Sequence, residues 1–211
     1  MNLTENEKKK VCYAESTYHA IVLSNIDMIK RMSYMSELND RISIIYEIAK
    51  RKSGLGKTAI MKYLYILQTV YKVPLGYNFG LYTYGPFAAE VLDDLDYADA
   101  NKVINMEAAE TSVGMGYSIK SGSEYEDNSD FASKYNEQLD AMLGIFEDDC
   151  AKNLELSATI IYMYRNAKRN GWHTDADVIV NDVYEVKPYF EKDIIKKEFE
   201  RISASDVFHS I

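Results

Sequence analysis

The segment Gly54-Leu55-Gly56-Lys57-Thr58 is where residue types and spacing first suggest chemistry, because Gly-Lys-Thr is the tail of a phosphate-binding loop. That loop also needs a glycine five positions before the second one, and Arg51 stands there. It should follow a buried strand, whereas the residues before Gly54 carry a helical stripe. Helix punctuation is the simpler role, with Lys57 and Thr58 in the first turn of the helix that follows. The three histidines, His19, His173 and His209, are far apart, and Cys12 and Cys150 are isolated, so neither a zinc site nor a disulfide framework is expected. There is no Gly-x-Ser-x-Gly elbow, no His-Glu-x-x-His and no glycine-rich dinucleotide fingerprint. Carboxylates abound, but nothing singles out a pair for acid–base work. The expectation is a chain with no catalytic residues, no metal and no cofactor.

Charge offers two further possibilities. Lys50, Arg51, Lys52, Lys57 and Lys62 form the one cationic concentration in a chain of 24 basic and 33 acidic residues with net charge −9. Together with Lys120 they are the candidate DNA-contact set, since the turn and first residues of a second helix are where phosphate contacts are made. The alternative is a solvated helix end whose cations complement the dipole. The run Glu90 to Asp99 is acidic; near a phosphate backbone it would repel, and near a basic partner protein it would steer association. Affinity for nucleic acid comes largely from neutralised phosphates, so the overall acidity argues against a nonspecific binder. Eighteen tyrosines suit half-buried helix faces and interaction surfaces, because each has a large ring and a polar tip.

The elements that must position these residues are mostly helical. Ser16 to Met35 reads as a helix with Tyr18, Val22, Ile26 and Ile29 near one face, interrupted at Ser36-Glu37. Leu38, Ile42, Ile45 and Ala49 then mark an amphipathic helix ending at Lys50-Arg51-Lys52. After a Ser53–Gly56 breaker, a third helix runs from about Lys57 to Lys72 and is closed by Val73-Pro74. Helix, short glycine-bearing turn, helix is the outline of a helix-turn-helix. Residues 77–84 alternate at period two, which predicts one strand with Tyr82 and Tyr84 on the same face. Gly85 would turn the chain and Pro86 would open an acidic helix from Phe87 to Leu95. Two short strands, Lys102–Met106 and Gly116–Lys120, are expected on either side of Glu107–Met115, followed by a polar loop over Tyr125–Asp130. Helices at Phe131–Phe146, Leu154–Arg169, Asp175–Val186 and Tyr189–Ile202 complete the chain.

Gly56-Lys57-Thr58-Ala59-Ile60-Met61-Lys62-Tyr63-Leu64-Tyr65-Ile66-Leu67-Gln68, with Pro74 to Phe79 and Leu81-Tyr82-Thr83-Tyr84-Gly85-Pro86-Phe87, resembles an uncharacterised prokaryotic family, the YwgA-like proteins. These pair a "KLxKLxYxLQ" helix with a "YxYGPY" strand and turn. The likeness runs from about Gly54 to Ile202, and departs at Ala59, where the family often has a cation, and at Phe87 in place of tyrosine. The family is distantly similar to the Panacea antitoxin domain, which shares the Tyr-Gly-Pro turn and is associated with neutralising toxins by direct binding. The resemblance implies a winged-helix-like fold and an antitoxin-like role.

The expected architecture is therefore mainly α with a small β component: a helical extension over 1–37, a winged-helix-like segment over 38–122 and a C-terminal helical segment over 123–211. It should expose a surface rather than enclose a pocket. The expected function is a non-catalytic interaction protein bound to a partner protein, with Tyr82, Tyr84, Gly85, Pro86, Glu90, Asp93 and Asp94 as the partner surface. The alternative is a sequence-specific DNA-binding regulator using residues 50–68. The polar start and the lack of a membrane-length apolar run lead to the expectation of a cytoplasmic protein.

Overall fold

A computed structural model describes the backbone of residues 5–111, 114–127, 129–146 and 150–211, and side chains over those ranges from residue 26 onward, Asp27 and Thr111 excepted. The side chains of Cys12, Tyr18, His19 and Val22 lie outside the described residues. The chain is mainly helical: α1 Glu5–Arg51, α2 Lys57–Thr69, α3 Ala89–Ala100, α4 Phe131–Lys134, α5 Asn136–Phe146, α6 Ala151–Asn170, α7 Ala176–Val186 and α8 Lys192–Ala204. Two antiparallel two-stranded sheets accompany them, β1 Gly80–Tyr82 with β2 Gly85–Phe87, and β3 Ile104–Thr111 with β4 Gly114–Ser121. Among the described residues no helix is long and apolar enough to cross a membrane.

The chain divides into two units, Met1–Asn39 and Asp40–Ile211. In the first, α1 exposes Ile26, Met28, Ile29, Met32, Tyr34 and Met35. The expected interruption at Ser36-Glu37 is absent, and α1 continues to Arg51. Neither residue breaks a helix by itself, and Ser33 Oγ donates to Glu37 Oε1 one turn on.

In the second unit α2 is the central element. Ala59 to Leu67 are all buried, so this helix is enclosed on every side rather than amphipathic. It packs on α6, α5 and the β1–β2 hairpin. Each large apolar side chain removed from water in this way contributes roughly 1.5–3 kcal/mol. Helices α7 and α8 pair with each other and close over α6. Arg201 of α8 clasps this corner by donating to Glu198 and to the Ile145 carbonyl, while Ser157 of α6 donates to the same Glu198.

The chain between α2 and β1 has no regular structure; the Val73 and Leu75 N–H groups donate to backbone carbonyls, and Tyr77 is met by a side chain. The Gln68 amide donates to the Tyr77 carbonyl at 2.8 Å and accepts from the Tyr77 N–H at 2.9 Å, standing in for a neighbouring strand. Tyr77 then donates to Asp94 Oδ2 at 2.7 Å, and Arg41 Nε donates to the same oxygen at 2.6 Å. This buried network ties α1, the loop and α3 together.

Several elements differ from expectation. Residues 77–84 do not form one strand: β1 begins at Gly80 and the chain reverses over Thr83-Tyr84, so that Tyr82 pairs with Gly85. Pro86 does not open a helix but lies within β2, opposite Leu81, and α3 starts only at Ala89. The segment Glu107–Met115 is not a spacer, since β3 and β4 pair through Thr111 and Gly114. The expected 131–146 helix is divided at Tyr135 into α4 and α5.

Candidate partner-binding hairpin and its buried support

The tight hairpin follows from Gly85. Its φ of +83° belongs to the region that side-chain-bearing residues avoid. A Cβ there would lie 3.0 Å from Thr159 Oγ1 and 3.3 Å from the Glu155 carbonyl, both on α6. Glycine thus serves twice, by letting the chain turn and by letting β2 lie directly on α6. The two-residue Thr83-Tyr84 turn that results projects Tyr82 and Tyr84, which are 64% and 67% exposed. The Tyr82 ring leans on Phe87 at 5.1 Å between centroids, which stiffens it.

Beneath the turn is a knot of buried charge. Lys62 of α2, only 2% exposed, donates to the Pro86 carbonyl at 2.7 Å. Lys187, just after α7 and 1% exposed, forms an ion pair with Glu155 of α6 at 2.9 Å and donates to the Thr83 and Tyr82 carbonyls. Tyr189 donates to Glu155 and reaches the Thr83 carbonyl. The hairpin carbonyls are therefore bonded to groups from α2 and from the chain just after α7, the latter held in turn by Glu155 of α6, which fixes the turn from below. Lys187 pairs directly with Glu155, and Lys62 lies within the electrostatic reach of both. Burial lowers the Lys62 pKa from its ordinary 10.5 to about 8; Glu155 pulls it up, and Lys187 pushes it further down. Burial, and then Glu155, raise that of Tyr189.

Beside the hairpin lies a cavity of about 450 Å³ between the first half of α2 and the turn, lined by Lys57, Met61, Lys62, Phe87, Leu92 and the Tyr82–Tyr84 turn. The expectation of a surface without a pocket is corrected in this respect.

The structure separates the expected partner surface into two groups. Tyr82, Tyr84, Glu90 and Asp93 are exposed. Gly85, Pro86 and Asp94 are buried: the first two brace the turn, and Asp94 is the partner of Arg41 and Tyr77. The expected DNA-contact set is also divided. Lys62 is in the core and cannot reach a nucleic acid. Lys50 pairs with Glu47 at 3.1 Å, Arg51 with Asp140 at 2.6 Å, Lys57 with Asp96 at 2.8 Å and Lys120 with Glu107 at 3.5 Å. Lys52, next to Arg51, is half-buried. The Gly54–Gly56 segment joins β4 instead of forming a loop over a helix end: Leu55 bridges Ile119, and the Gly54 N–H donates to the Ile119 carbonyl.

Sequence reasoning missed Glu155, Lys187 and Tyr189. Lys187 was visible only as part of a C-terminal Val-Lys-Pro stretch, and nothing in spacing connects position 187 with position 83. Among the described residues no group of three or more His, Cys, Asp or Glu side chains could hold a metal ion. No family model matches the chain, and no curated protein matches it.

Proposed function

We propose that this chain is a non-catalytic, winged-helix-like interaction protein that binds another protein through the Tyr82–Tyr84 hairpin, in an antitoxin-like role. The observation that carries the reading is the pairing of two exposed tyrosines with a turn pinned by buried Lys187 and Lys62 and by the more exposed Tyr189. Tyrosine provides a large contact area with few rotatable bonds, and a turn fixed before binding has less freedom to lose on association. Glu90 and Asp93 nearby would steer a basic partner. The winged-helix-like reading is supported by the order of α1, the bridging Leu55, α2, α3 and the β3–β4 hairpin. The likeness of the Tyr-Gly-Pro turn to that of the Panacea antitoxin domain supports the antitoxin-like role.

The second reading, a DNA-binding regulator, is favoured by the basic stretch at the end of α1 and opposed by its ion pairs. It is opposed further by α3, the helix preceding the β3–β4 hairpin, whose charged residues are all acidic. Site-specific photocrosslinking from position 84 in the native host distinguishes the two. A discrete protein adduct from position 84, absent when the crosslinker replaces Lys196 on α8, is the expected result. Adducts to DNA, or none, would overturn the protein-partner reading. In parallel, duplex DNA binding is measured over a salt series, with and without Lys50, Arg51, Lys52 and Lys57 changed to Ala. Tight, steeply salt-dependent binding lost in that variant would establish the DNA reading.

A further inference from the structure

We propose that the cavity between α2 and the β1–β2 hairpin is a binding site for a small organic carboxylate with an aromatic or branched apolar body, its acid group meeting Lys62 and its body lying on Met61, Phe87 and Leu92. Tyr82, Thr83 and Tyr84 also line this cavity, so the site adjoins the proposed partner surface, but its test reads ligand binding directly and needs no partner protein.

Three observations lead to this class of ligand. The cavity's volume, about 450 Å³, falls within the range of roughly 300–1,000 Å³ typical of small-molecule sites. Its walls are mostly apolar, which selects a ligand with an apolar body. Its one deeply buried charged wall residue is Lys62, an ammonium with three donors, of which the Pro86 carbonyl engages one. The charges also leave a place for an anion. Lys62 and Lys187 face the single carboxylate of Glu155, so the fully ionised cluster carries one uncompensated positive charge in a poorly hydrated interior. A carboxylate entering the cavity would neutralise it, and a charge-assisted bond formed away from water is stronger than one at the surface. Lys57 does not fill this role, because it is engaged by Asp96 and lies over the Tyr117 ring at 4.6 Å. The lowered pKa of Lys62 adds a signature: an arriving anion would restore the ordinary preference for the charged ammonium, so binding near pH 8.5 should be accompanied by proton uptake.

The probes are N-acetyl-phenylalanine and its neutral amide, titrated into the full chain and followed by backbone amide NMR shifts. A ligand of about fifteen heavy atoms at ordinary efficiency has a Kd of about 1 mM. The acid should shift Met61, Lys62, Phe87 and Leu92, and the amide should bind about tenfold more weakly. Lys62→Met should erase the preference for acid over amide, while Lys57→Met should retain it. Calorimetry of the wild type near pH 8.5 in buffers of different ionisation enthalpy should show protons taken up with the acid and none with the amide, which keeps the test decisive if Lys62→Met does not fold. Equal binding of acid and amide, no binding of either up to about 10 mM, shifts confined to other residues, or acid binding without proton uptake would each overturn the proposal.

Discussion

Raising the pH from 7 to 9 should stabilise the wild-type second unit and leave Lys62→Met nearly unmoved in comparison. In the fold, burial holds the Lys62 pKa near 8, against 10.5 for the free side chain. Between those values the unfolded chain binds more protons than the native one, and stability therefore rises with pH. A difference of about 2.5 units corresponds to about 3 kcal/mol over the whole window, of which about 1.3 kcal/mol falls between pH 7 and 9. Above pH 10 the sign reverses. Burial pushes Tyr71 up to about 12 and raises Tyr65, Tyr77 and Tyr189 as well, so unfolded phenols lose protons that native ones keep. Lys72, also lowered, is common to both proteins and cancels in the comparison. Urea denaturation at pH 7, 8 and 9 and constant ionic strength, with far-UV circular dichroism as the signal, measures the effect. Wild-type and Lys62→Met midpoints that move in parallel would refute the account of a lysine held in the core at the expense of its charge.

Gly85→Ala should cost about 3 kcal/mol, by combining an unfavourable φ with overpacking against Thr159 and Glu155. Gly76→Ala, with φ +75° but open space around the new methyl, should cost about 1 kcal/mol; equal shifts in the urea midpoint would mean that the contact with α6 plays no part. Asp94→Asn removes the buried carboxylate that Arg41 pairs with and should cost about 3 kcal/mol, whereas Tyr77→Phe, which removes only one hydrogen bond to that carboxylate, should cost about 1 kcal/mol; thermal melting ranks the two. Gln68→Ala should speed amide exchange at Tyr77 at least tenfold, because it deletes both bonds of the amide clasp; unchanged exchange would show that the loop is held by other contacts.

How much of this was legible in the residues depends on how local each signal is. The stripe over α6 and the glycine breaker before α2 are read from neighbours in the chain, and these elements lie within a few residues of their expected places. Pro86 misled because proline suits a first helical position and an isolated strand position equally well, and only pairing with Leu81 decides between them. Lys62 misled more seriously. By spacing it belongs to a surface cluster with Lys50 to Lys57, yet α2 is enclosed all round and leaves no outward face for it. Asp94 likewise looked like one of a row of solvent carboxylates until Arg41, 53 positions away, supplied its reason to be inside. The exposed tyrosines were found because the Tyr-Gly-Pro turn is a local motif, while the residues that support it come from positions 155, 187 and 189 and carry no local mark.

Pro86 has a last consequence for how this ribbon can meet another molecule. It has no N–H, and its carbonyl is already taken by Lys62, so at the middle of β2 the backbone has neither a donor nor a free acceptor to offer an incoming strand. Addition of a strand along β2 is therefore blocked at its central residue. Recognition is left to the side chains at the tip, and these can be exchanged for others without disturbing the lysines and glutamate that hold the backbone in place.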